Sequence, residues 1–135
     1  MSTIVTDTGF SKEFPIPSYV TLADLPIHEG AIDLKNTDDV TALTPYLADM
    51  RLIRVDFPSF ADGRGFTLAR RLRMMGYKGR LRARGHVLAD QYAMARRVGF
   101  DEVEISDDLA ARQPVEQWLS RADWQAHDHQ SRLRA

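Results

Sequence analysis

The sequence predicts an α/β domain in which four consecutive βα units form a parallel sheet with all helices on one face, an arrangement like half of a (βα) barrel. From residue 31 onward, a short apolar strand pattern is followed four times by a helix pattern. Such alternation implies right-handed crossovers and parallel pairing. Within each strand, apolar and charged residues alternate. One face of the sheet is therefore apolar and the other polar, unlike the two buried faces of a doubly wound sheet.

The elements follow one another in strict alternation. The strands are predicted at residues 31–35, 51–57, 80–84 and 102–105, and the helices at residues 38–49, 65–75, 87–98 and 108–122. Apolar side chains at helical spacing support each helix. Pro45 is the weak point of the first helix, because a proline beyond the first turn removes a backbone hydrogen bond. The second and third helices end at Gly76-Tyr77 and Gly99-Phe100, where glycine suits a left-handed C-cap.

Charged residues mark the polar face of the predicted sheet. They are Asp33, Lys35, Arg54, Asp56, Arg80, Arg82, Arg84, Glu102 and Glu104. Because neighbouring strands carry opposite charges, we expect a lattice of cross-strand ion pairs, with a site for a small charged ligand as the alternative. Three covers for this face remain open: solvent, residues 1–30, or a second subunit in a homodimer.

The two ends of the chain differ from the α/β domain, which we assign to residues 31–125. Residues 1–30 are predicted as a short β or irregular segment that packs on the domain, and residues 126–135 as a disordered tail. The N-terminus lacks the features of a signal peptide, and no apolar run approaches the roughly 18 residues of a membrane span. We therefore expect a cytoplasmic protein without a membrane partner.

The composition excludes several kinds of chemistry. The chain has 135 residues and no cysteine, which excludes thiolate nucleophiles, disulfide exchange and cysteine-bound iron–sulfur clusters. It contains neither the glycine pattern of dinucleotide-binding proteins nor the phosphate-binding loop of nucleotide hydrolases. Its cofactor is therefore unknown. His127 and His129 are too few ligands for a metal site, and we expect no metal.

Positive charge is concentrated in the middle of a chain whose net charge is −1. Residues 1–63 contain ten acids and four bases, a net −6, and residues 64–97 contain ten bases and one acid, a net +9. Residues 98–135 contain eight acids and four bases, a net −4, so the three sums give −1. This partition indicates an anionic ligand or an acidic partner. It lacks the broad positive excess of a nucleic-acid-binding domain, so no nucleic acid is expected.

The first candidate ligand site is the turn Asp62-Gly63-Arg64-Gly65, between the second strand and the second helix. Free backbone N–H groups and the helix dipole make such helix starts places where α/β proteins bind anions. Gly63 and Gly65 would let a ligand approach the backbone, and Arg64 could hold a sulfate, phosphate or carboxylate with two hydrogen bonds. The alternative is a structural turn in which Asp62 caps the helix and Arg64 pairs with an acid.

The second candidate, Arg84-Gly85-His86, lies at the carboxyl end of the third strand, which is the ligand end in this architecture. His86 is the histidine placed to exchange a proton near neutral pH, and a surface or capping role is the alternative. Asp90 and Gln91 follow in the first turn of the third helix. We expect Asp90 to hold Arg64 or Arg84 in position, with compensation of the helix dipole as the alternative.

The polar faces of the second and third helices carry arginines without an acid nearby. They are Arg70, Arg71, Arg73, Arg96 and Arg97. We expect these arginines to form an electropositive outer wall on which an acidic protein docks, although ordinary solvation of a helix face is the alternative. Met74, Met75 and Met94 are predicted to be packing residues.

Three stretches in the middle of the chain carry a family resemblance: FPSFADGRGFTLARRLR, GYKGRLRARGHVLADQ and RVGFDEVEI. Over residues 51–105 they resemble a bacterial family of unknown function whose members are often labelled as oxidoreductases involved in sulfite reduction. The recurring elements of that family fall on Phe57-Pro58, Phe60, Asp62-Gly63-Arg64, Arg73, Arg82-Ala83, Gly85 and Asp90-Gln91. This chain departs from the family in having His86 where an acid is usual.

The resemblance implies a place in assimilatory sulfur metabolism, because genes of such proteins tend to lie beside those of sulfite reductase and phosphoadenylylsulfate reductase. It implies no established mechanism, and whether the chain is an enzyme stays open. We favour an accessory protein that docks sulfite reductase or another acidic redox protein and binds a sulfur oxyanion or phosphate group. The alternative is a small oxidoreductase or subunit that binds a flavin, or a phosphorylated or sulfated nucleotide, at the carboxyl ends of the strands.

Overall fold

A computed structural model describes residues 2–13 and 15–124, and its main feature is one mixed sheet of seven strands. The strands are β1 (Ser2–Thr6), β2 (Gly9–Ser11), β3 (Val20–Thr21), β4 (Ala31–Leu34), β5 (Leu52–Phe57), β6 (Arg80–Gly85) and β7 (Glu102–Ser106). Their order across the sheet is β2-β1-β7-β6-β5-β4-β3. The α/β class is confirmed, and the four predicted strands correspond to β4 to β7 within one residue at each end.

The N-terminal segment supplies part of this sheet. Strands β3 to β7 are parallel, whereas β1 is antiparallel to both β7 and β2. Thr3 lies opposite Ile105 and Val5 opposite Val103, so the hairpin continues the apolar face of β7. An unpaired β7 edge would expose a row of backbone donors and acceptors. The sheet is therefore not parallel throughout, because β1 pairs with that edge and β2 pairs with β1.

The helices depart from the predicted lengths where prolines interrupt them. They are α1 (Arg64–Met74), α2 (Tyr92–Val98), α3 (Asp107–Arg112) and α4 (Val115–Leu119). Residues Val40–Asp49 form a 3₁₀ helix containing Pro45, whose missing N–H disfavours the predicted α-helix. The predicted fourth helix is two helices, because Pro114 pushes the preceding Gln113 out of the helical region. The third helix begins with a 3₁₀ turn at Ala89–Gln91 and is α-helical only from Tyr92.

The apolar face of the sheet and the helices share one core. Buried apolar side chains alternate along β5 and β6, as shown by Ile53, Val55 and Leu81. They belong to the same cluster as Leu68 and Leu72 of α1, which recur at helical spacing. The hydrophobic effect therefore fixes which face of the sheet the helices cover, and the charged side chains face the other way.

On the polar face, the fully buried side chain of Arg82 forms the centre of an ion-pair network. Its guanidinium donates to Glu102 at 2.7 Å, to Glu104 at 2.9 Å and to Glu13 at 2.9 and 2.5 Å. Arg54 bridges Asp33, at 2.5 and 2.7 Å, and Glu104, at 3.1 Å. The expected lattice of cross-strand ion pairs is thus present in the structure.

Residues of the N-terminal segment cover the middle of this network. Tyr19 accepts a hydrogen bond from Arg82 at 2.9 Å, and its ring lies 3.7 Å from the guanidinium carbon of Arg54. Glu13 contacts Arg82 and also accepts a bond from Arg80 at 3.2 Å. Of the three covers left open by the sequence, residues from the 1–30 segment therefore provide one. Within the described ranges, no helix is both long and apolar enough to cross a bilayer.

We expect Glu13→Gln to lower the free energy of unfolding by about 1 to 3 kcal/mol at pH 7, because it removes a charged partner from a buried guanidinium. Hydrogen bonds from Arg82 outweigh the effect of burial and hold the pKa of Glu13 below its ordinary 4.5. Its stabilisation is therefore complete above pH 4.5 and is lost as the pH falls through the lowered pKa. Urea unfolding between pH 7 and pH 3 should show the free energies of unfolding of the wild type and Glu13→Gln becoming more similar as the pH falls.

Glu116→Gln is the matched control, since Glu116 is exposed in α4. That variant should stay within about 0.5 kcal/mol of the wild type across the same range. If the loss of unfolding free energy in Glu13→Gln is as large in acid as at pH 7, the charge of Glu13 is not the source of the stabilisation.

Candidate functional site

The candidate site is a cleft of about 680 Å³ at the carboxyl ends of β5, β6 and β7. It is lined by Ser2, Asp56, Pro58, Phe60, Arg84, Gly85, His86, Glu104, Ile105, Ser106, Asp108, Leu109 and Arg112. In parallel α/β sheets, ligands bind at this edge because the loops and helix starts converge there. The predicted residues Arg84, Gly85 and His86 therefore meet in one cavity, at the edge of the sheet where ligand binding was expected.

Arg84 differs from the other arginines of the polar face in how loosely it is paired. Its guanidinium lies 3.6 Å from Asp56 and 3.8 Å from Glu104, both beyond hydrogen-bond range, and its side chain is 49% exposed. By contrast, Arg80 and Arg82 bind Glu102 at 3.0 Å or less. The donors of Arg84 are thus accessible to a ligand in the cleft.

His86 lies beside Arg84, and a backbone carbonyl faces its Nδ1. Its Nδ1 is 3.2 Å from the carbonyl oxygen of Phe57, which can only accept a hydrogen bond. If Nδ1 carries the proton, Nε2 keeps its lone pair for a ligand or a proton. The ring of Phe60 meets the His86 ring edge-on, with 5.0 Å between centroids. The cleft thus has an aromatic wall that contacts the imidazole of His86.

Carboxylates balance the cations of the cleft. Glu104 is nearly buried and is shared by Arg54 and Arg82. Burial would raise the pKa of Glu104, but these two arginines overcome it and lower the pKa. Asp56 and Asp108 are the other two acids of the lining. Over the described ranges, no three His, Asp or Glu side chains are grouped as metal ligands.

The predicted anion-binding turn does not line the cleft. Arg64 donates to Asp62 from Nη2 at 2.6 Å and from Nε at 3.0 Å, and Asn36 donates to the same carboxylate at 2.7 Å. The hydrogen bonds from Arg64 strongly lower the pKa of Asp62. Gly63 immediately precedes α1. Gly65 is buried against the ring of Phe57, and an added Cβ at Gly65 would lie 2.5 Å from that ring. Arg64 thus pairs with an acid, as in the structural alternative, but the N-cap of α1 is Gly63 and not Asp62.

Asp90 and Gln91 also have structural partners. Asp90 accepts a hydrogen bond from Arg121 at 2.7 Å. The expected partners, Arg64 and Arg84, do not donate to it. The Gln91 side chain caps its own turn by accepting from the Leu88 amide at 2.8 Å. It also donates to the Phe60 carbonyl at 3.1 Å, which ties down the loop that carries the aromatic wall of the cleft.

Two of the five docking arginines are held inside the fold. Arg73 donates to the carbonyls of Gly99 at 2.7 and 3.0 Å and of Tyr77 and Gly79 at 2.9 Å, and it reaches Asp101 at 3.0 Å. Its single side chain thus joins the turn after α1 to the turn after α2.

Arg96 is held in the same way. It donates to Asp7 at 3.2 Å and to the Phe100 carbonyl at 2.6 Å, and its guanidinium lies 4.8 Å from the Trp124 ring centroid. Neither Arg73 nor Arg96 therefore has a fully free guanidinium for a partner protein.

The other three arginines lie on an exposed surface that we call the outer face: Arg70, Arg71 and Met74 of α1, and Met94 and Arg97 of α2. Arg97 has one long contact, 3.4 Å to the Trp124 carbonyl. Met74 is 80% exposed and Met94 is 51% exposed, so these two methionines are not the packing residues predicted. Cationic and adaptable apolar side chains are thus combined on one surface.

Ser106, Asp108 and Arg112 were missed by the sequence analysis. Ser106 ends β7 and accepts a hydrogen bond from the Leu109 amide at 3.1 Å, which starts α3. The rule that singled out the end of the third strand also applies to the fourth strand and would have identified Ser106. Asp108 and Arg112 are four residues apart and lie on one side of α3.

We expect Gly85→Ala to cost about 3 kcal/mol of unfolding free energy, because Gly85 has φ +114° and a Cβ would lie 2.7 Å from the Phe57 carbonyl oxygen. Gly76→Ala is the matched control. Gly76 has φ +98°, but no atom lies within 4 Å of its Cβ position, so about 1 kcal/mol is expected. Urea unfolding measures both, and equal costs would contradict the close approach at the cleft.

The comparison with known proteins identifies the family. No curated protein and no solved structure matches the chain. The model of a family described as "Bacterial protein of unknown function (DUF934)" matches residues 31–132, which is most of the chain. The resemblance to a bacterial family of unknown function is thereby confirmed, and the chain belongs to DUF934.

Proposed function

We propose that this protein is a cytoplasmic accessory protein of assimilatory sulfite reduction that binds a small oxyanion in the cleft and docks an acidic redox partner through the outer face. The oxyanion is a sulfur oxyanion or a phosphate group. The sulfur pathway comes from the resemblance of residues 51–105. The binding site and the docking surface are argued from the described side chains.

The observation that carries the proposal is the loosely paired guanidinium of Arg84. Its neighbours on the polar face are saturated by carboxylates, whereas its own ion pairs are 3.6 and 3.8 Å long. Arg112 lines the same cleft, and its side chain forms no hydrogen bond within the described ranges. Guanidinium groups bind planar or tetrahedral oxyanions through pairs of hydrogen bonds. His86 Nε2, when protonated, adds a third donor.

A second candidate function is favoured by the size and walls of the cleft. About 680 Å³ is in the range of pockets for drug-sized ligands and exceeds the needs of a free oxyanion. Phe60, which is 40% exposed, offers a surface for stacking, and Asp56 and Asp108 can accept hydrogen bonds from amino or hydroxyl groups. A phosphorylated or sulfated nucleotide, or a flavin, would use all of these groups together.

We also infer that the parallel strands represent half of a (βα) barrel. Support comes from the consecutive order of β3 to β7 and from the helices that share their apolar core. In a closed barrel the polar face would be the interior. Here Glu13 and Tyr19 cover its middle, so this face gives no reason of its own for a homodimer.

The binding proposal predicts that Arg84→Gln weakens oxyanion binding at least tenfold, because hydrogen bonds to a charged group contribute about 1.5 to 3 kcal/mol. Calorimetric titration with sulfite and phosphate measures this change. Arg64→Gln is the control, since Arg64 is an exposed arginine paired with Asp62 outside the cleft. It should bind as the wild type does.

Other results of the same titration are equally informative. A loss in Arg64→Gln with unchanged binding in Arg84→Gln would move the site to the Asp62 turn. An adenylyl sulfate or a flavin that binds far more tightly than either inorganic ion would favour the second candidate. Absence of saturable binding by all of these ligands would remove the cleft from the proposal.

The docking proposal predicts that Arg70→Glu with Arg71→Glu abolishes capture of sulfite reductase at low ionic strength, where exposed charges are least screened. Both residues are exposed on the outer face. A control with the same change in net charge, Lys35→Glu with Arg121→Glu, should retain capture. Pull-down at about 20 mM salt is the measurement, and failure of the wild-type protein to capture the enzyme would exclude this partner.

A further inference from the structure

We infer that a second cavity, at the amino ends of β5 and β6, binds an acidic peptide segment of another protein and anchors it by one apolar side chain. This groove of about 820 Å³ lies between the 3₁₀ helix Val40–Asp49 and the turn after α1, at the edge of the sheet opposite to the cleft. It is lined by Thr44, Leu47, Ala48, Met50, Arg51, Met75, Gly76, Lys78, Gly79 and Arg80.

The charge of the groove selects for carboxylates. Its lining contains three cations, Arg51, Lys78 and Arg80, and no acid. Arg80 is neutralised by Glu102 and Glu13, at 2.9 and 3.2 Å. Arg51 and Lys78 form no ion pair with any carboxylate in the described ranges. The groove therefore carries two uncompensated positive charges, whereas the cleft at the other edge has acids among its lining residues.

Arg51 is fixed in place before any partner arrives. Its Nη2 donates to the Glu29 carbonyl at 2.7 Å. Its guanidinium packs against Gly30, where an added Cβ would lie 2.8 Å from the Arg51 Nε. A carbonyl partner leaves the positive charge of Arg51 uncompensated. Because the side chain is already ordered, binding a carboxylate costs less conformational entropy than at a mobile arginine.

The floor of the groove is apolar. Met50 is buried, and Leu47 and Met75 are partly buried against the core. Methionine side chains adapt to the shape of an incoming apolar group. An inorganic anion would leave this floor in contact with water, so an acidic segment that also carries a leucine, methionine or phenylalanine matches the groove better.

This inference extends the docking part of the proposed function, because it states what chemistry a partner segment presents and where it is held. The groove shares no lining residue with the outer face. Binding at the groove can therefore fail while docking through Arg70 and Arg71 succeeds, and the reverse is equally measurable.

The test uses the full chain and two fluorescently labelled synthetic peptides of equal charge. One has two leucines flanked on each side by three acidic residues, and the other has serines in place of the leucines. We expect the leucine peptide to bind about tenfold more tightly, because a leucine side chain leaves water. Fluorescence anisotropy at low salt gives both dissociation constants.

Variants locate the binding. Lys78→Gln removes an exposed cation of the groove and should weaken the leucine peptide about threefold. Arg70→Gln makes the same change on the outer face and should leave it unaltered. The inference is overturned by equal affinity for the two peptides, by a loss in Arg70→Gln alone, or by a lack of saturation. Self-association of the chain that Lys78→Gln abolishes would assign the groove to a second copy instead.

Discussion

The buried guanidinium of Arg82 is the group on which the rest of the structure depends. A buried charge costs several kcal/mol unless it is paired and fully hydrogen-bonded. Glu13, Glu102, Glu104 and Tyr19 meet this requirement together. They come from the N-terminal segment and from β7, so satisfying one side chain on β6 also fixes how these parts of the chain are arranged. The middle of the polar face is thus covered by residues of the same chain.

The same network leaves one arginine of β6, Arg84, weakly paired. Arg84 lies two residues beyond Arg82 on the same face of β6, and its two nearest carboxylates, Asp56 and Glu104, are 3.6 and 3.8 Å away. Glu104, the nearest buried acid, is already hydrogen-bonded to Arg54 and Arg82. Arg84 is therefore the arginine of β6 with the longest carboxylate contacts, and it lines the cleft at the carboxyl ends of the strands.

Much of the fold could be predicted, because alternation along β4 to β7 is a local property of the sequence. The pairing of β1 with β7 could not be predicted, since about 100 residues separate the two strands along the chain. Within the candidate site, Arg84 and His86 could be predicted because ligands bind at the carboxyl ends of parallel strands. Choosing a partner for Asp90 among many arginines requires distances, and nothing in the sequence pattern distinguishes Arg121. The ion pair between Arg64 and Asp62 could be foreseen, because the two residues are only two positions apart in the sequence.

The hydrogen bonds of Arg73 bear on local unfolding of this domain. One side chain on α1 donates to the carbonyls of Tyr77 and Gly79 before β6 and of Gly99 before β7. If the last turn of α1 frays, all three carbonyls lose a charged donor at the same time. Arg73 thus links the two helix-to-strand returns, and we expect fraying at the end of α1 to loosen the start of β7 as well, a strand that also lines the cleft.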